Sequence, residues 1–330
     1  MVATITAADE YRHTPDAPEG ENWQENYVWH CWDVERRSGW YLHLGRIRDH
    51  GLVDVRAMTI IDGVVASATI QAPGDDCLAA PGVDVDIRTA FERIGLRFTG
   101  KGAVGPDDDG FYGSRAGDTP FGFDVDTISE HPPINWDPHD SRAGFDLTYA
   151  GNRYEQGARW QGRLWIGDQM VEAQGLLVRD HSWGRRRWTH STVGGFWTPM
   201  VFDGGRRFIS GLTSTRGAFQ SFSVMADRSG DVDVSYDNWV RFNAGSLVAR
   251  QFDRAELLRV RGEVMERYAY EGHLHLAFAR HASFTDTRHR FGIADMYSTV
   301  RGPNDLVGFG TLQHMTRSDY AREGFEHPVA

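Results

Sequence analysis

Three observations predict an all-β protein with few short helices, built from turn-linked antiparallel strands. The 330 residues include 37 glycines and 11 tryptophans, and this pairing favours tight turns and large apolar surfaces that need packing partners. Apolar and polar side chains alternate with a period of two over many short stretches. Turn pairs such as Asp62-Gly63 and Gly167-Asp168 join those stretches at hairpin spacing. The length suits one large or two ordinary domains and is enough to bury a substantial core.

Taken in order, residues 1–20 are polar, contain prolines and lack periodicity, so they read as a flexible lead or strap. Two aromatic strands follow over 23–44. Tyr27, Trp29 and Cys31 share one side of the first, Trp40, Leu42 and Leu44 share one side of the second, and Ser38-Gly39 is the expected turn. A second pair over 53–70 closes at Asp62-Gly63. Residues 72–127 are broken by Pro, Gly and Asp, and 90–98 reads equally as a short helix or a strand. Within this region Gly100 to Gly105 spells the letters of a GxGxxG dinucleotide pattern. Pro106 and the carboxylates Asp107, Asp108 and Asp109 come next, so no helix starts there to aim amides at a pyrophosphate, and that reading fails. The Asp run lacks the remaining EF-hand spacing and reads as a solvated loop.

Residues 131–140 form a Pro-rich connector, followed by a strand with Phe145, Leu147 and Tyr149 on one face. A hairpin then runs from Tyr154 to Asp180, turning at Gly167-Asp168. Gly194-Gly195 marks the expected junction between two β units, giving a lead over 1–20 and domains over 21–190 and 191–330. The second half repeats the style, with turns at Asp203-Gly204 and Ser229-Gly230 and strands near 219–225 and 232–240. Residues 250–267 suit a helix or a strand. His273 and His275 alternate along one strand, but no third ligand lies nearby, so no metal site is expected. A final strand ends near Tyr297, and the tail is polar after Thr316.

Composition excludes several classes. Cys31 and Cys77 give neither a disulfide framework nor a CxxC pair. No basic leader followed by an apolar run opens the chain, and no apolar stretch is long enough to span a bilayer, so a cytoplasmic protein without stable membrane insertion is expected. A formal net charge of -11 opposes a phosphate backbone, and nucleic acid is not an expected partner. The GxSxG elbow, HExxH, the P-loop and paired CxxC motifs are all absent, and no cofactor is expected.

Chemistry-bearing residues concentrate at Arg153-Tyr154-Glu155-Gln156 and at Arg179-Asp180-His181-Ser182-Trp183-Gly184. Asp180-His181-Ser182 is no catalytic triad, because consecutive strand residues point to opposite faces. Alternation places Asp180 with Leu176 and Val178, and His181 with Leu177 and Arg179. The same residues also fit an ion pair that locks a strand end.

The two runs resemble the DHxWG-type signature of the carotenoid 1,2-hydratase (hydroxyneurosporene synthase) superfamily, whose bacterial relatives carry an RDHSWG form. The resemblance covers residues 145–190. It implies two lipocalin-like, calycin-type β-barrels or strongly curved antiparallel sheets, with the motif near their interface. It also implies cofactor-free hydration, dehydration or cyclisation of a hydrophobic terpenoid, steroid-like or aromatic alkene. A ligand carrier and a pericyclase-type enzyme that works by shape alone are the alternatives. Carried over residue by residue, the motif aspartate falls on Asp180 as the Brønsted acid, with His181 positioning or re-protonating it. Protonating an alkene needs a neutral carboxyl in a dry site. Arg179, directed away from Asp180 and toward Glu155, would be a supporting residue with Glu155, Arg185 and Tyr154. Trp160, Trp165, Trp183 and Trp197 are candidate pocket walls whose π faces would stabilise a cation, and Phe196 and Tyr297 are further candidate substrate-pocket residues. A hydrophobic small molecule is the expected partner, and a homodimer is compatible with the chain.

Overall fold

In a computed structural model, the structure describes residues 5–16, 18–19, 21, 23–105, 117–136, 152–185, 195–214, 220–242, 254–282 and 290–317. Among them the regular elements are strands and short 3-10 turns. The fold is all-β, with two antiparallel sheets.

The first sheet contains β1 (Trp23–Asp33), β2 (Ser38–Ile47), β3 (Leu52–Ile61), β4 (Val64–Pro73), β5 (Val83–Thr89), β6 (Arg93–Gly105), β7 (Thr119–Ile128), β8 (Ile134–Asn135), β9 (Asn152–Ile166) and β10 (Gln169–Arg185). β10 pairs with both β9 and β1, so the order β1-β2-β3-β4-β6-β7-β9-β10 returns on itself as a barrel. The shortest ladder in the ring pairs Val65, Ala66 and Ser67 with Gly105, Val104 and Ala103. Closure removes the exposed edges that would otherwise template aggregation. The barrel interior is filled by side chains such as Trp29, Trp40, Trp160, Phe98, Phe121 and Phe123.

The second sheet contains β11 (Gly195–Trp197), β12 (Met200–Phe202), β13 (Arg207–Ser214), β14 (Gln220–Asp227), β15 (Val232–Ser235), β16 (Asn238–Phe242), β17 (Arg254–Arg261), β18 (Val264–Ala282), β19 (Arg290–Arg301) and β20 (Val307–Arg317). It curls until side chains bridge its two ends. The buried Arg259 of β17 donates to Ser223 Oγ of β14 at 3.0 Å and pairs with Asp233 of β15 at 3.0 Å.

The sheets pack face to face through a shared apolar layer that includes Trp32, Tyr41, Trp136 and Val178 from the first and Trp197, Phe208, Tyr297 and Phe309 from the second. A Cβ at Gly157 would lie 2.7 Å from Val201 Cγ2 and 3.0 Å from Phe208 Cδ2, so this glycine lets β9 approach the second sheet closely.

Several expectations are refined. The β1–β2 turn occupies residues 34–37, and Ser38-Gly39 already belongs to β2. Residues 93–98 are strand, and Gly100 to Gly105 continue it, so the GxGxxG letters sit in a ladder and not at a helix start. Residues 254–267 form a β17–β18 hairpin turning at Gly262. β20 is a full strand absent from the sequence reading. Asp62 and Gly63 do turn a hairpin, with positive φ at both. The Asp107 to Asp109 loop, the Phe145, Leu147 and Tyr149 strand, and Gly194 lie outside the described residues, as does the side chain of His275.

Candidate functional site

β10 is the strand on which the site is built. Its alternation sends Asp180 out of the barrel, into the layer between the sheets with Leu176 and Val178. Arg179 and His181 turn inward with Leu177.

On the outer face Asp180 stands directly across the β9–β10 ladder from Glu155. Arg153, two residues before Glu155 on the same face of β9, serves both carboxylates. Its Nε lies 2.5 Å from Asp180 Oδ2, and its Nη2 donates to Glu155 Oε1. The guanidinium lies over two aromatic rings, with its carbon 4.4 Å from the Trp136 centroid and 5.4 Å from that of Trp197. Glu155 is fully buried, and Asp180 keeps 10 % of its side chain exposed. Burial raises the Glu155 carboxyl; Arg153 opposes the rise, and the facing Asp180 adds to it. The result is about 8. One guanidinium can compensate one carboxylate, so near neutral pH the second keeps its proton.

The same layer holds polar groups from both sheets. His30 of β1 shares a hydrogen bond with the Tyr297 hydroxyl at 3.1 Å, and its ring stands edge-on to Trp197 at 5.5 Å. Burial lowers the His30 imidazole to about 3, which keeps it neutral. Asp295, two residues before Tyr297 on the same face of β19, accepts from Gln313 Nε2 at 2.9 Å, and burial raises it to about 7.

On the inner face, residues 5–16 strap one end of the barrel. Arg179 donates through Nη1 and Nη2 to both oxygens of the buried Glu10, at 2.9 and 2.7 Å. The Tyr154 hydroxyl donates to Glu10 Oε1 at 2.9 Å, and Gln156 Oε1 accepts from Arg179 Nε at 3.0 Å. Burial alone would raise Glu10, but the Arg179 guanidinium holds it below its ordinary range. Beside this group, His181 Nε2 lies 3.2 Å from Glu25 Oε1, and His13 Nδ1 lies 2.8 Å from the same oxygen. Against the pull of burial, those imidazoles lower Glu25 to about 2.

The predicted residues therefore divide. Asp180, Glu155, Trp197 and Tyr297 meet the layer between the sheets; Arg179, Tyr154, His181 and Trp183 gather under the strap. His181 does not hold Asp180, because the strand separates them, and Arg179 pairs with Glu10 and not with Glu155. Trp160 belongs to the barrel interior, and Phe196 to a separate core of the second sheet. Trp165 is half-buried on β9 opposite the exposed Met170, away from Asp180, and Arg185 pairs with Glu21 at 2.6 Å. Sequence reasoning missed Arg153 as the shared counter-ion, although its spacing of two from Glu155 put both on one face. It also missed Glu10, His13, Glu25, His30 and Asp295. The signal for Asp295 was a lone carboxylate in the apolar run Ile293-Ala294-Asp295-Met296-Tyr297.

The molecule is thus a lipocalin-like, two-sheet β protein with a buried carboxylate pair at the junction of its sheets. Residues 6–316 match the family described as a domain of unknown function, DUF7064, and the chain belongs to that family. No curated protein matches it. Among solved structures it is similar to one assigned as AttH from Nitrosomonas europaea, with a TM-score of 0.60 at 10% identity, covering 95% of this chain and 98% of that one. It is also similar to kievitone hydratase from Nectria haematococca (TM-score 0.53, 10% identity, 95% and 93% covered). A third likeness is to CghA (TM-score 0.54, 12% identity, 96% of each chain). At these identities the likeness is one of fold.

Proposed function

We propose that this protein is an acid catalyst, needing no cofactor, that hydrates, dehydrates or cyclises an alkene-bearing hydrophobic small molecule of terpenoid, steroid-like or aromatic type. The observation that carries the reading is the Glu155–Arg153–Asp180 arrangement, in which two facing carboxyls share one guanidinium and burial favours the protonated form of Glu155. Similarity in fold to a protein named kievitone hydratase supports it by analogy.

The acid is Glu155, with Asp180 facing it across the strand pair and held by Arg153, a reversal of the assignment that the motif alone implies. In hydration, Glu155 gives its proton to one alkene carbon, and the electron pair of the double bond forms the new C–H bond. The cation left on the other carbon faces the Asp180 carboxylate. Water adds there and loses a proton to the pair, which returns to its one-proton state. Dehydration is the same sequence reversed; cyclisation replaces water with a second double bond and ends by returning a proton. Arg153 already occupies faces of Trp136 and Trp197, so those rings hold the guanidinium and leave cation stabilisation to the carboxylate.

The test is incubation of the protein with a panel of prenyl, terpenoid and phenolic alkenes in heavy water, followed by mass spectrometry. Deuterium is expected in a hydrated or cyclised product, with Glu155→Gln lowering turnover at least a hundredfold. A second reading, a carrier for the same ligands, is favoured by the Arg153–Asp180 contact, which would also serve to lock a strand end. Ligands retained but recovered unchanged would select it over catalysis.

A further inference from the structure

Under the strap, His13, Glu25 and His181 offer three ligand atoms, all within 4.8 Å of one another. They come from the strap, β1 and β10, so only the closed fold brings them together. We infer that these three side chains form a binding site for a divalent first-row transition-metal ion, one that ties the strap to the barrel. The site lies on the opposite face of β10 from Glu155 and Asp180 and is independent of the reaction proposed for them.

Geometry carries the inference. Ligands around a four-coordinate zinc ion at ~2.0 Å stand about 3.3 Å apart. The two imidazole nitrogens already lie 2.8 and 3.2 Å from Glu25 Oε1, so small adjustments admit an ion in place of the shared protons. Both rings are held in plane by stacking, His13 on Trp183 and His181 on Tyr27, each with centroids 3.8 Å apart. His13 Nε2 meets Asp9 Oδ1 at 3.1 Å, the carboxylate–histidine support that orients a ligating imidazole.

Charge agrees with geometry. Arg179 is matched by Glu10, Asp75 serves both Arg12 and Arg46, and the carboxylates of Glu25 and Asp9 face the imidazoles of His13 and His181. A divalent ion adds positive charge where two carboxylates and two imidazoles converge. Glu25 Oε1 is the oxygen that faces both imidazole nitrogens and also accepts from the His13 backbone N–H at 3.0 Å, while Arg46 Nη1 stands 3.8 Å from Oε2. Two imidazoles and one carboxylate suit zinc, cobalt or iron(II) and not calcium or magnesium, which prefer all-oxygen shells.

The experiment uses tag-free, full-length protein stripped with chelator and desalted. Calorimetric titration with zinc sulfate should give one equivalent per chain, and zinc should raise the midpoint of thermal unfolding by several degrees. Cobalt(II) should develop the visible bands of a four- or five-coordinate ion. His13→Ala, with its side chain 16% exposed at the strap, should weaken zinc binding at least tenfold and abolish the cobalt bands. His50→Ala, an exposed histidine elsewhere, should bind as the parent does. If His13→Ala fails to fold, Glu25→Gln takes its place under the same criterion. Absence of stoichiometric zinc binding by the parent protein overturns the inference, as does binding unaffected by these substitutions.

Discussion

Asp180 and His181 are neighbours in the chain, yet they serve different parts of the molecule. Asp180 Oδ2 lies 2.5 Å from Arg153 Nε between the sheets, and His181 Nε2 lies 3.2 Å from Glu25 Oε1 under the strap. Their side chains lie on opposite faces of β10. Energetic coupling should follow contact and not sequence. In double-mutant cycles followed by urea unfolding, Asp180→Asn and His181→Gln should add to within ~0.5 kcal/mol, whereas Asp180→Asn and Glu155→Gln should couple by about 1 kcal/mol or more. Equal coupling for the two pairs would contradict the assignment of faces.

The Glu155 carboxyl gives stability a pH signature. Its folded value of about 8 lies above the ordinary 4.5, so between these limits the folded state holds a proton that the unfolded chain has released. The contribution of Glu155 is fully present below pH 4.5 and is lost as pH rises through 8. Glu155→Gln mimics the protonated form and escapes the loss. The variant should therefore gain on the parent between pH 5 and pH 9, as read from urea unfolding at both values. A constant difference between the two proteins would mean that Glu155 is ionised throughout.

Arg153 is the group whose loss should cost most at this junction. Its removal leaves Asp180 without its counter-ion beside the apolar side chains of Trp136, Val178 and Phe208. Breaking a buried pair from one side costs roughly 3–5 kcal/mol, so Arg153→Leu should be destabilising on that scale at pH 7. Restoring a match with Asp180→Leu in the same chain should recover part of the loss. No recovery would show that Arg153 acts through its contact with the tryptophans instead.

How much of this was readable beforehand follows from what side-chain period encodes. Alternation over residues 176–181 separates Asp180 from His181 correctly, because a period of two fixes the face of every strand residue once the strand is recognised. Asp62-Gly63 announces its hairpin for the same local reason, since few residue pairs accept positive φ. Period says nothing about what lies across a face. Arg179 meets Glu10 across 169 residues, and His30 meets Tyr297 across 267, partners that only closure of the barrel and apposition of the sheets create. The Arg254–Arg261 strand stayed ambiguous because Leu257, Leu258 and Val260 satisfy both periods over so short a run.

The pairing of Glu10 with Arg179 makes the strap part of the barrel's electrostatic balance. Arg179 is buried to 4 % exposure and donates to both oxygens of Glu10, with Gln156 and Tyr154 completing its surroundings. Glu10→Gln keeps the shape of the side chain but removes the charge, leaving a guanidinium uncompensated in the barrel. The expected cost is about 3–5 kcal/mol at pH 7. Because Glu10 is held below its ordinary value, its contribution is present above pH 4.5 and fades as pH falls through the lowered value. The difference between parent and variant should therefore shrink in acid, opposite in direction to the Glu155 effect. Limited proteolysis supplies a second readout, since a strap released from Arg179 should be cut within residues 5–16 before the barrel strands are. A variant as stable and as protease-resistant as the parent at pH 7 would mean that Arg179 finds its counter-charge elsewhere.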